Sequence, residues 1–133
     1  MQENIEYIWL KALGGRRHTV KNSNSPNAGI KSIGFRNYAD HMVTDEFHKT
    51  VQKLLSVAAK RKTAIMCAEK FYWKCHRRFL SDYLVAQGAE VLHILESGRV
   101  SVHKLTPGAV IRADGTVTYP ISRAGRTQTL FES

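Results

Sequence analysis

The sequence predicts a small layered α/β domain with a mainly parallel sheet, followed by a C-terminal β-hairpin and tail. Three observations carry that reading. An apolar run ending at Cys67, a helical stripe over Cys75–Gln87 and a second apolar run at Glu90–Leu95 follow one another within the length of one βαβ unit, whose strands run parallel. A regular amphipathic helix precedes that unit. Finally, 133 residues with 43% hydrophobic content suit one domain with a modest core.

Taken in order, Glu6–Leu13 is rich in strand formers and runs into Gly14-Gly15-Arg16-Arg17-His18, a strand and then a loop. Residues 19–32 are dense in Asn, Ser, Gly and Pro and read as a flexible surface loop. Phe35–Met42 is expected as a short helix. Thr44 is the expected N-cap of the next helix, with Asp45 and Glu46 at its electropositive end. Phe47, Val51, Leu54, Leu55 and Ala58 form one apolar stripe along it, and Lys60, Arg61 and Lys62 close its last turn. Thr63–Cys67 reads as a buried strand, Cys75–Gln87 as a helix stopped by Gly88, and Glu90–Leu95 as the strand parallel to the first. Two short strands around Asp114-Gly115 suggest a hairpin, and the basic, then apolar, end of the chain a mobile tail. The expected division is an α/β domain over residues 1–105 and a hairpin with tail over 106–133.

Twenty Lys and Arg against eleven Asp and Glu give a formal charge of +9, which favours an anionic partner such as a small phosphate-like ligand or nucleic acid. No run approaches the roughly 18 apolar residues of a membrane span, no leader is evident, and two cysteines are too few for a disulfide scaffold. The expected compartment is therefore the cytoplasm. No motif calls for a cofactor or a metal.

Chemistry-bearing residues concentrate in Ile65–Arg78, IMCAEKFYWKCHRR. If a strand ends at Cys67 and a helix begins at Cys75, both thiols and Glu69 stand at the carboxyl edge of the sheet, where open α/β folds bind ligands. A helix start lowers a thiol pKa and attracts anions, Arg77 adds counter-charge, and His76 can exchange a proton near neutral pH. Cys67, Glu69, Cys75 and His76 are thus the candidate catalytic set. The alternative reading makes Cys67 a small buried hydrophobe and Cys75 a packing residue.

The arginine of sulfur-transfer and cysteine-phosphatase loops stands six positions after the nucleophile; here those positions hold Trp73 and Ser81, so the match fails and the spacing argues against both mechanisms. Zinc lacks a fourth ligand at any recognisable spacing, while a Cys67–Cys75 disulfide stays sterically open. Gly14, Gly15, Arg16 and Arg17 are the matching anion-binding candidates, two glycines for close backbone approach and two arginines for bidentate phosphate contacts. Phe71, Tyr72 and Trp73 beside Lys70 and Lys74 form either a base-stacking patch or a packing or dimer surface. His93 alternates with apolar residues and either points into the site or is a hydrogen-bonded strand residue; His41, His48 and His103 belong to no evident constellation.

These residues resemble a known family. Leu13-Gly14-Gly15-Arg16-Arg17, then Phe35, Tyr38, Ala39, Met42 and Phe47, Cys67-Ala68-Glu69, Cys75-His76-Arg77, Asp82-Tyr83-Leu84 and His93-Ile94 are similar to the family called domain of unknown function 488, from about Ile5 onward. The resemblance implies an α/β domain without assigning a reaction. Members usually begin with further strands that have no match here, so the chain resembles the family's C-terminal part. It implies a site that is incomplete or completed by a partner chain, and an exposed sheet edge that favours a homodimer. Where the family carries Asp-Pro, Phe71-Tyr72 stands here, which fits a contact surface. Thr127–Phe131 is similar to the short peptides that bind sliding clamps, as other tails of the family do, with Thr in place of the first Gln.

Overall fold

The computed structural model describes residues 7–14, 25–65, 76–95 and 97–121. A single 3-10 turn, Lys11–Leu13, leads into three helices, α1 (Ile33–His41), α2 (Asp45–Lys60) and α3 (Arg77–Ala86). Four short strands follow: β1 (Leu92–Ile94), β2 (Val100–Val102), β3 (Val110–Ile111) and β4 (Val117–Thr118). Among the described residues they pair as β1 with β2 and β3 with β4, both antiparallel. Among the described residues no helix is long and apolar enough to cross a membrane.

The helices start and stop for local reasons. Ser32 caps α1 by accepting from the Phe35 amide, and Thr44 caps α2 by accepting from the Phe47 amide at 3.2 Å, with Asp45 and Glu46 in the first turn. Gly88 ends α3 at φ +94°, a left-handed conformation that costs an L side chain strain. Its amide donates to the Val85 carbonyl and that of Ala89 to Leu84, the two bonds of a Schellman stop.

The core joins all three helices to β4. Tyr38, Phe47 and Tyr83 meet edge to face, at centroid separations of 5.9 and 5.0 Å, and Phe79 meets Tyr119 at 5.3 Å. Met42, Val51, Leu80 and Val117 fill between them. Each such side chain contributes about 1.5–3 kcal/mol by leaving water.

The expected parallel sheet is not what forms. Glu6–Leu13, expected as a strand, holds the 3-10 turn, and Tyr7 and Trp9 are exposed. The described part of the expected strand Thr63–Cys67, residues 63–65, has no strand pairing and lies at the surface. β1 forms as expected but takes β2 as its partner, because a five-residue connection turning through Gly98 at φ +82° closes that hairpin. Local antiparallel closure fixes far fewer residues than a crossover through a helix. The burial pattern agrees: of the three residues of β1 only the middle one, His93, is covered, whereas a parallel strand packed on both faces would be apolar and buried throughout. Leu92 and Ile94 face the same side as Val102 and Val100, and all four are exposed.

A second correction concerns residues 19–32. Within the described part, Asn27 and Ile30 are fully buried, so this polar stretch is not all surface. Asn27 Oδ1 accepts from the Tyr119 amide, its Nδ2 donates to Asp40 at 2.8 Å, and the Gly29 amide donates to the Tyr119 carbonyl. An Asn-rich segment can enter a core when its amide satisfies backbone groups that would otherwise be buried without partners. The β3–β4 hairpin matches expectation, with Gly115 at φ +87° in the turn and Asp114 accepting from the Thr116 amide and hydroxyl.

Candidate functional site

Helix α3 turns one carboxylate into the core. Phe79, Leu80, Tyr83 and Leu84 make its apolar face, and Asp82 lies within it, fully buried. A buried carboxylate persists only when its oxygens are satisfied, and here three groups converge on it. The Thr106 amide donates to Oδ1 at 3.0 Å, the Tyr119 hydroxyl donates to Oδ2 at 2.7 Å, and His103 Nε2 lies 2.7 Å from Oδ1. Thr106 is held in turn by Arg78, whose Nε donates to its hydroxyl at 3.2 Å.

The chain of contacts continues outward. His103 Nδ1 is 2.7 Å from His93 Nε2, the two rings lying at 73°. Chemistry orders the protons along it. The Thr106 amide can only donate and the Tyr119 hydroxyl donates to the other oxygen, so with the carboxylate as acceptor His103 Nε2 carries a proton toward it. In the neutral arrangement His103 Nδ1 then accepts from His93 Nε2–H. Burial holds His93 well below the usual histidine range, at about 4, with His103 and the Arg77 charge acting in the same direction and Asp82 opposing them. Burial likewise pushes the Tyr119 hydroxyl far up, and Asp82 adds to it, so Tyr119 stays a neutral donor.

His93 lines a cleft of about 1290 Å³ between the C-terminal half of α2, α3 and the β1–β2 hairpin. Its walls are largely aliphatic: Leu54, Leu55 and Ala58 from α2, Leu80 and Leu84 from α3, and Leu92, Ile94 and Val100 from the hairpin. Among the described residues the charged ones on it are Lys62, Arg77 and Glu90, and Ser81 lies on the α3 side. Among the described residues no group of three or more His, Cys, Asp or Glu side chains is arranged to hold a metal ion.

Of the residues singled out in the sequence, Arg77 opens α3 and faces this cleft, whereas His76 is the α3 cap residue and makes no side-chain capping bond. His76 packs against Tyr38 at 5.1 Å, and the Tyr38 hydroxyl donates to the Leu13 carbonyl, next to Gly14. The Gly14 turn and the start of α3 therefore stand on two sides of one tyrosine. Gly15, Arg16, Arg17, Cys67, Glu69, Cys75 and the aromatic Phe71–Trp73 patch lie outside the described residues.

His103, which the sequence joined to no constellation, is the centre of the network. His41 and His48 also have partners, the Ala12 carbonyl and the Tyr83 hydroxyl. One sign of the network is visible in the sequence: a carboxylate inside the apolar stripe of a helix must find donors, and buried histidines are frequent donors.

Comparison with known proteins adds the family. No curated protein and no solved structure matches the chain. The family model described as Domain of unknown function DUF488 matches residues 1–84, a span that includes α1, α2 and α3 as far as Leu84, and the chain belongs to that family.

Proposed function

We propose that the protein is a binding module for an anionic ligand with an apolar body, taken up in the cleft between α2, α3 and the β1–β2 hairpin. The observation that carries this reading is the composition of the cleft: aliphatic walls around about 1290 Å³, with Arg77 and Lys62 against Glu90, the single acidic residue among the described residues that line it. That volume exceeds the range of about 300–1,000 Å³ usual for small-ligand sites and leaves room for a ring system or an acyl chain. A desolvated aliphatic wall strengthens the attraction of a guanidinium for a carboxylate, sulfonate or phosphate head, which Arg77 can take in a bidentate fork. The overall charge of +9 brings such anions toward the surface.

Anilinonaphthalene sulfonate combines an apolar ring system with one anionic group and reports its own burial by fluorescence. Wild-type protein should bind it saturably. Arg77→Gln should weaken binding about tenfold, and Ile94→Asp, at an exposed wall residue that folding does not need buried, should abolish it. Equal affinity in all three proteins would overturn the reading.

A further inference from the structure

We propose that the cleft takes up an extended peptide, which adds to β1 as a third strand and carries aliphatic side chains at alternate positions and a carboxylate at one end. This rests on the cleft being the binding site and names the class of its anionic ligand. The register of the hairpin decides which backbone groups are available. The His103 amide donates to the Val91 carbonyl and the Leu95 amide to the Arg99 carbonyl, both at 2.8 Å, and His93 stands opposite Ser101 midway between them. Hydrogen-bonded and non-hydrogen-bonded pairs alternate along an antiparallel ladder. His93 therefore turns its amide and carbonyl toward β2, and Leu92 and Ile94 turn theirs away from it. Among the described residues the amides and carbonyls of Leu92 and Ile94 have no hydrogen-bond partner. The two residues are also 49% and 75% exposed. Such an edge is a template for another chain.

This edge borders the cleft. All six residues from Glu90 to Leu95 line it, although side chains on a strand alternate between two faces. Only a cavity that runs along the edge of a strand meets successive residues of both faces. From β2, Val100 alone contributes. The other walls come from α2, residues 62–65 and α3. One extended segment fits between those walls and β1, whereas a folded second copy would have to bring its own strand in beside α2. Backbone bonds to β1 give such a peptide affinity, the aliphatic walls select apolar side chains at alternate positions, and the positive charge of Lys62 and Arg77 draws the carboxylate.

Calorimetric titration of the whole chain tests this with a short peptide of alternating valine and threonine, acetylated at its N-terminus and with a free carboxylate. Two analogues carry N-methyl groups, one on the valine amides and the other on the threonine amides. Each removes the donors of one edge of the peptide and leaves its charge and side chains unchanged. The parent should bind, one analogue should bind at least about tenfold more weakly, and the other should match the parent. Ile94→Pro removes an outward amide that makes no bond within the fold, a change that edge strands accommodate. It should weaken the parent peptide about tenfold while anilinonaphthalene sulfonate still binds.

Analogues that bind equally, whether or not as well as the parent, would overturn strand addition on wild-type protein alone, even if Ile94→Pro fails to fold. So would a chain that sediments as a dimer and excludes the peptide, which assigns the edge to a second copy. Binding of anilinonaphthalene sulfonate without the peptide overturns strand addition and leaves the cleft reading standing; binding of neither removes both.

Discussion

His93 and His103 approach to 2.7 Å at the base of the β1–β2 hairpin, ring nitrogen to ring nitrogen, although ten residues separate them in the chain. Each occupies a buried position, and only the register of the hairpin brings them to the same face: His93 pairs with Ser101, two residues before His103. Beneath them Asp82 gathers three donors, so a polar axis runs through a core otherwise made of aromatic and aliphatic side chains.

Acid should loosen the protein before its carboxylates titrate. His93 is held at about 4 in the fold against an ordinary 6.5, so the unfolded chain binds the extra proton between those values. The contribution is complete above pH 6.5 and is lost as the pH falls toward 4, with a slope of at most about 1.4 kcal/mol per pH unit. Urea denaturation midpoints measured from pH 7 to pH 4.5 should decline in wild type and decline less in His93→Gln.

Removing Asp82 should cost far more than removing any one of its partners. Asp82→Ala strands the Tyr119 hydroxyl, the Thr106 amide and His103 without an acceptor in a buried site, a loss of about 3–5 kcal/mol. Tyr119→Phe removes one donor and keeps the ring, and should cost about 1 kcal/mol. Chemical denaturation of the two variants checks the ratio.

Gly29 should tolerate no side chain. A Cβ there would stand 2.5 Å from the Pro120 carbonyl oxygen and 2.7 Å from that of Tyr119, both backbone atoms that cannot swing away. Gly29→Ala should lower stability by about 2 kcal/mol or more by prising residues 25–30 off the end of β4, and the loss should show as a lower thermal midpoint. Gly88→Ala is the contrast: nothing lies within 4 Å of its Cβ, and only the left-handed backbone at φ +94° is penalised, about 1–2 kcal/mol.

The α2 cap can be tested alone. Thr44→Ala removes the acceptor of the Phe47 amide at an exposed position and should cost about 1 kcal/mol, with Thr44→Ser restoring most of it.

The helices were legible because their signals are local. The stripe from Phe47 to Ala58, the Thr44 cap and the Gly88 stop act over one to four turns of chain, and α1, α2 and α3 lie where those signals put them. The strands were legible as extended segments but not as a sheet. Glu90–Leu95 holds β1, yet its pairing depends on which partner closes at least entropic cost, and the neighbouring β2 takes it. Of the candidate site, Arg77 and His93 were visible as residues. Asp82, His103 and Tyr119 were not visible as partners, because their separations of 21 and 37 residues carry no period.

By itself the sequence determined the three helices, the Thr44 cap and the Gly88 stop, the turn of the β3–β4 hairpin and the basic charge, all of which follow from near-neighbour sterics, hydrogen bonding and composition. Tertiary structure alone decided that the strands pair antiparallel, that Asn27 and Asp82 are buried, and that two histidines and a tyrosine complete the Asp82 network. The reason is physical: a buried polar group takes whatever donors the folded chain brings within 3 Å, and distance along the sequence does not enter that choice.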